Sequence, residues 1–189
     1  MIVGIYEVGR GCWAGPLVAA AVCFKETVLI NGLTDSKKLS PKRRQALTLE
    51  IQKQAEAVGI GWVWPREINK LGLTESVRLA MQRAVDQIEL NGQSVIIDGS
   101  INYLPHIPSS KALIKADGLI PAVSAASVVA KVARDAYMAK IAKKYPEYGF
   151  EKHVGYGTKL HITALKQHGV LSLHRLNYKP IQNLLTSTA

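Results

Sequence analysis

Apolar residues in this chain fall into two kinds of pattern, short dense runs and longer stretches that repeat about every 3.6 residues. Residues 3–8 form a short apolar run ending in a glycine-rich turn, and residues 17–24, rich in Val and Ala, form a second. Together they predict a β-hairpin. Residues 42–57 place Ala46, Leu47, Ile51 and Ala55 on one side, which predicts a helix capped by Ser40 with Pro41 at its first position. Residues 60–64 read as a third strand. Residues 73–90 predict an amphipathic helix with Val77, Leu79, Ala80, Ala84, Val85 and Ile88 on its apolar side. Residues 94–97 are nearly all apolar, the pattern of a strand buried on both faces. Residues 111–114 read as a fifth strand, and residues 121–144 as the longest helix, Ala-, Val- and Ser-rich at first and charged later. The tail holds Gly149, Gly155, Gly157 and Gly169, with short helical patches at 159–167 and 181–185.

Strands interleaved with helices predict an α/β layer fold. No repeat, low-complexity tract or linker interrupts it, so the reading is a main domain over residues 1–145 with a small helical appendage, 146–189, packed on it. A chain of 189 residues is long enough to bury a sizeable core. Its longest apolar run, residues 14–24, is broken by Pro16 and falls short of the roughly 20 residues of a membrane span. The start, Met1-Ile2-Val3-Gly4, lacks the basic region of a signal peptide. Cys12 and Cys23 read as free thiols, and the expectation is a cytoplasmic protein with no membrane contact. The net charge of +10 favours polyanionic partners, although solubility alone would also account for it.

Three carboxylates stand beside strand-like runs: Glu7 after the apolar part of the first, Asp98 at the end of the buried one, and Asp117 after the fifth. Ligand sites of open α/β sheets gather at the carboxyl ends of strands. Three acids converging there repel one another unless a cation lies between them, and Mg²⁺ or Mn²⁺ suits oxygen ligands. Asp98-Gly99 and Asp117-Gly118 also read as plain turn dipeptides. No Cys-x-x-Cys or His-Glu-x-x-His spacing suggests zinc, and His106, His153, His161, His168 and His174 match no metal pattern. Gly9-Arg10-Gly11-Cys12-Trp13-Ala14-Gly15 is one residue too long for a dinucleotide loop and leads into a strand instead of a helix. Its glycines would let backbone donors approach a ligand closely, or simply turn a hairpin. Asp35-Ser36-Lys37-Lys38-Leu39-Ser40 sets two cations before a helix start, as a phosphate contact or a solvated cap. Tyr156 between Gly155 and Gly157 reads as a ring on a glycine hinge, placed to stack on a sugar or base, or to pack.

In this order the segments resemble the ribonuclease HII family from Ile2 to about Pro180. Tyr6-Glu7-Val8-Gly9-Arg10-Gly11 is similar to its Asp-Glu-Val-Gly-Arg-Gly motif, and Asp35-Ser36-Lys37-Lys38-Leu39-Ser40 to its phosphate-contacting segment. Asp98 matches the third acid, and Asp117 the fourth. Ser124-Ala125-Ala126-Ser127 and Lys131-Val132-Ala133-Arg134-Asp135 match the helix that follows, and Gly155-Tyr156 the tyrosine near an RNA–DNA junction. The resemblance implies a ribonuclease H-like fold, a five-stranded mixed sheet flanked by helices. It implies cleavage of the RNA strand of RNA–DNA hybrids, and cutting at ribonucleotides embedded in duplex DNA, by a monomer. The implied chemistry uses two Mg²⁺ or Mn²⁺ ions about 3.5–4 Å apart, held by Glu7, Asp98 and Asp117, and leaves a 5′ phosphate. The implied substrate contacts are the backbone of Gly9, Arg10 and Gly11 at the 2′-hydroxyl, Ser36 and Lys37 at phosphate, and Tyr156 at the neighbouring deoxyribose. Tyr6 departs from the pattern, because it replaces the family's first aspartate with a phenol that is ordinarily neutral at pH 7. Two functions follow: an endonuclease impaired by Tyr6, or a hybrid-binding protein that does not cut.

Overall fold

The computed structural model describes residues 1–25, 28 and 30–186; the last three residues of the expected appendage lie outside them. Five strands form one sheet in the order β3-β2-β1-β4-β5: β1 (Ile2–Val8), β2 (Leu17–Cys23), β3 (Ala57–Val63), β4 (Ser94–Asp98) and β5 (Ser110–Leu113). The first three make an antiparallel meander, with Val8 opposite Val18 and Leu17 opposite Val63. β4 runs parallel to β1, and β5 parallel to β4. The carboxyl ends of β1, β3 and β4 therefore share one end of the sheet. β2, flanked by β3 and β1, is buried along its whole length, as its unbroken Leu-Val-Ala-Ala-Ala-Val-Cys run requires.

Helices cover both faces. On one, α3 (Leu73–Val85) presses Val77, Ala80, Met81 and Ala84 onto Ile5, Leu17, Val95 and Ile97. On the other, α1 (Pro41–Gln54) and α4 (Pro121–Lys144) bury Leu47 and Ile51 with Ala126, Val129 and Ile96. Ser40 caps α1 by accepting from the Arg43 N–H, with Pro41 next, as the sequence predicts. The helix stops at Gln54, three residues early, because the chain bends at Ala55 into β3; Ala46 faces solvent. α3 likewise ends at Val85, and Ile88 reaches the core from the turn beyond it. A short helix, α2 (Pro65–Leu71), occupies a stretch the periodicity leaves unassigned.

α4 has the predicted bounds and explains its own change of composition. Nearly every residue from Ala122 to Ala130 is buried, whereas the later turns bury only Arg134, Met138 and Ala142 at four-residue intervals. That single stripe receives the tail: α5 (Phe150–His153), α6 (Lys159–His168) and α7 (Lys179–Thr186) pack Tyr148, Phe150, Leu165 and Ile181 against Met138, Ala142 and Ala14. No described helix is long and apolar enough to cross a membrane.

Candidate active site

Asp98 acts on both Glu7 and Asp117 at the shared sheet end. Asp98 is the last residue of β4, and its Oδ1 accepts the Asp117 N–H at 3.4 Å. Asp117 follows β5 by several residues, in a 3-10 turn, Ala116–Gly118, entered through Lys115 at φ 59°. A left-handed backbone at a non-glycine residue is uncommon and turns the chain sharply. The turn is tied to α4 by Ser124 Oγ, which donates to the Asp117 carbonyl at 2.6 Å. Glu7 stands next to last in β1 with the Arg10 guanidinium 3.8 Å away. Burial, with repulsion from Asp98 adding to it, raises the Glu7 carboxyl to about 7 against the pull of Arg10 and Lys37. Burial and the charges of Asp98 and Asp35 raise Asp117 as well.

Tyr6 and Glu7 are neighbours on a strand, so their side chains leave opposite faces. Tyr6 packs among the α1 and α4 residues and is 6% exposed. Its hydroxyl nevertheless feels Lys37, Asp117 and Asp98, so the phenol borders the acidic cluster. Burial raises its pKa further, and the group is a neutral phenol at pH 7. Lys37 lies over the Tyr6 ring, 5.7 Å from its centroid, and is drawn upward in pKa first by the Tyr6 hydroxyl. The turn Ser36–Lys38 is anchored on both sides: Ser36 N–H donates to Ser127 Oγ at 3.2 Å and the Ser36 carbonyl accepts from Arg44 at 3.0 Å. Ser36 itself is buried, so it positions the turn while Lys37 projects to solvent.

The Gly9-Arg10-Gly11 turn follows directly. Gly9 adopts φ 87°, and a Cβ there would meet the Arg134 side chain at 2.4 Å. Gly11 is open, with Tyr156 the nearest side chain at 3.8 Å from a would-be Cβ. Tyr156 is 40% exposed, and burial of its hydroxyl beside Cys12 holds its pKa at about 12. The flanking glycines are not a hinge: a Cβ at Gly155 would strike the Ala14 carbonyl and one at Gly157 the Trp13 indole. They exist for close approach, and they fix the ring.

Two fully buried arginines, to which sequence reasoning gave no role, shape this turn. Arg134 donates to the carbonyls of Pro16 (2.9 Å), Ala14 (3.1 Å) and Val154 (2.9 Å). Arg175 donates to Gly15 (3.0 and 3.1 Å), Arg10 (3.1 Å) and the Tyr178 hydroxyl (2.9 Å). Neither has a carboxylate partner among the described residues. Three of the five histidines also converge, His153 stacked on His161 (4.5 Å) and His161 bonded to His174 (3.1 Å), all buried. Residue spacing carries no sign of that cluster.

The acidic donors suit a hard divalent cation in type and charge, since every one is a carboxylate, and burial first and the charge of Asp98 second raise Glu7 and Asp117, both of which a cation would offset. Among the described residues, no three His, Cys, Asp or Glu side chains stand close enough together to hold a metal ion as they are placed.

Comparison with known proteins reaches the same neighbourhood. The family described as Ribonuclease HII matches residues 3–181. Ribonuclease HII of Shewanella pealeana is 49% identical, covering 96% of this chain and 89% of its own. Ribonuclease HII of Neisseria meningitidis serogroup C is 48% identical, covering 96% and 94%. Among solved structures, ribonuclease H2 from Pyrococcus horikoshii superposes with a TM-score of 0.83 at 25% identity, over 98% of this chain and 97% of that one.

Proposed function

Because the chain belongs to the ribonuclease HII family, we propose that it is an endonuclease for the RNA strand of RNA–DNA hybrids and for ribonucleotides embedded in duplex DNA, with its activity lowered by Tyr6. The observation that carries this reading is the grouping of Glu7, Asp98 and Asp117 beside an exposed glycine turn that faces Tyr156. The backbone of Gly9-Arg10-Gly11 contacts the 2′-hydroxyl, the group by which a protein tells RNA from DNA. Tyr156 packs on the adjoining deoxyribose, and Lys37 neutralises a phosphate oxygen, positioned by the buried Ser36. Glu7, Asp98 and Asp117 are the residues that would hold Mg²⁺ or Mn²⁺, which would supply charge neutralisation and make water a stronger nucleophile. Water adds at phosphorus, the bond to the 3′ oxygen breaks, and the products carry a 3′ hydroxyl and a 5′ phosphate. At position 6 a neutral phenol, tied to Lys37, contributes no charge to this balance.

The second reading, a hybrid-binding protein that does not cut, is favoured by the same phenol. Single-turnover assays on a duplex with one ribonucleotide and on its all-DNA equivalent, in Mg²⁺ and then Mn²⁺, separate the two. Slow cleavage confined to the ribonucleotide duplex supports the nuclease. Preferential binding with no product in either metal supports the binder. Equal affinity for both duplexes removes the 2′-hydroxyl readout from either.

A further inference from the structure

We propose that an aromatic groove at the carboxyl end of β3 takes an unpaired nucleobase from a single strand adjoining the hybrid. The groove measures about 680 Å³ and is lined by Trp64, Pro65, Arg66, Tyr137, Leu173 and Leu176 among others. Two of these rings belong to a built stack: Trp64 lies 5.6 Å from Trp62 at 13°, and Tyr137 meets Trp62 and Trp64 edge-on at 6.0 and 5.3 Å. Trp64 is thus held from beneath and from the side while 42% of it stays exposed. The backbone around it is pinned too. Glu67 accepts the Trp64 N–H at 3.0 Å and pairs with Arg83, which also donates to the Trp62 carbonyl at 2.6 Å. A flat ring fixed on one face and open on the other is the element that stacks a base without regard to its identity.

Charge and position select nucleic acid over a protein segment. Arg66 lines the groove, and Lys140 lies one turn along α4 from Tyr137; among the described residues neither has a carboxylate partner. The nearby Glu67 is neutralised by Arg83. Sheet register aligns Val63 with Leu17, and Val18 with Val8, so Trp64 is level with the Gly9-Arg10-Gly11 turn two strands away. Two strand spacings are roughly 10 Å, about three stacked nucleotides. Arg175 joins the two places: its side chain holds the Arg10 carbonyl, while the carbonyl of the preceding His174 accepts from Asn69 at the groove wall. Bases inside a duplex are stacked on both faces, so the occupant is a nucleotide outside it.

The proposal rests on the reading of the protein as a hybrid binder, and one titration separates the two. A blunt RNA–DNA hybrid and hybrids carrying a short thymidine overhang at each end in turn are titrated by anisotropy in Ca²⁺ at fixed salt. One overhang polarity should tighten binding about tenfold, the scale of one base on an aromatic ring. It should also quench tryptophan emission. Trp64→Leu should abolish the gain and the added quenching while leaving blunt-hybrid affinity unchanged, and Arg66→Glu, which keeps the ring, should reduce the gain. No gain from either overhang, or a gain that survives Trp64→Leu, overturns the groove assignment and leaves a surface for a protein segment. Failure to bind even the blunt hybrid overturns the underlying reading as well.

Discussion

At position 6 a single side chain separates a neutral phenol from the charge that hybrid cleavage would use. Tyr6→Asp should raise single-turnover cleavage by at least 10–100-fold, the range seen for groups one step further from a metal. The gain should be largest at low Mg²⁺, with hybrid affinity in Ca²⁺ little changed. Equal rates for both proteins at every metal concentration would show that Tyr6 costs nothing. Asp98→Asn and Asp117→Asn test the other half of the cluster. Each removes one of two neighbouring charges, since Asp98 repels the Asp117 carboxylate, so the metal-free melting temperature should hold or rise while Mn²⁺ affinity measured calorimetrically falls. Undiminished affinity in both variants would dissolve the site. These acids were legible because each stands beside a run of apolar strand residues. Arg134 and Arg175 were not, because a sequence shows a guanidinium as a surface charge, and only folding reveals the carbonyls that receive it.

Glycines decide how closely the elements pack. β3 lies so near α3 that a Cβ at Gly61 would sit 1.9 Å from the Ala80 carbonyl, and one at Gly59 2.0 Å from that of Ala84. β1 meets α4 in the same way, with Gly4 against the Ala122 backbone at 2.2 Å. Backbone atoms cannot step aside as a side-chain tip does. Gly61→Ala and Gly4→Ala should each cost about 1–3 kcal/mol or more by forcing strand and helix apart. Gly118→Ala, where a Cβ meets open space, should leave a denaturant midpoint nearly unmoved. A midpoint insensitive to Gly61→Ala would mean that α3 docks less tightly than described. Elements with sustained periodicity were read directly, and α4 has its predicted bounds because Pro121 starts it and the chain turns at Tyr145. α2 escaped because seven residues beginning at a proline hold too few turns to show a period, and α1 lost its last turn to the pairing of Ala57 with Cys23.

Across the whole molecule, acid should act first through the histidine cluster joining the tail to the rest. Burial, the largest influence, holds His161 and His174 near 4, well below an exposed imidazole, with His153 beside them. Between pH 6.5 and 4 the unfolded chain binds protons that the folded chain refuses, so stability is full above this window and falls as pH drops through it, by up to about 3 kcal/mol for one such group. Glu7, raised to about 7, opposes this by keeping a proton when folded that the unfolded chain releases above 4.5. Melting temperature should therefore fall from pH 7 to pH 5, and fall more steeply in Glu7→Gln; a flat profile in that variant would count against the buried imidazoles. Surface charge is tested separately, since Lys37→Ala should lower the slope of log affinity against log salt by about one for all duplexes. An unchanged slope would place Lys37 away from phosphate. The two buried arginines carry one more consequence, for the order of events during synthesis. Arg175 grips Arg10 and Gly15 across 165 and 160 residues of chain, whereas the three acids are all present once Asp117 has been made. A growing chain emerges from its amino end, so it owns its acidic cluster long before it owns the brace of its recognition turn. Until residue 175 has been made, the glycine turn lacks the side chain that holds its Arg10 carbonyl, so the acids precede the brace of the turn they border.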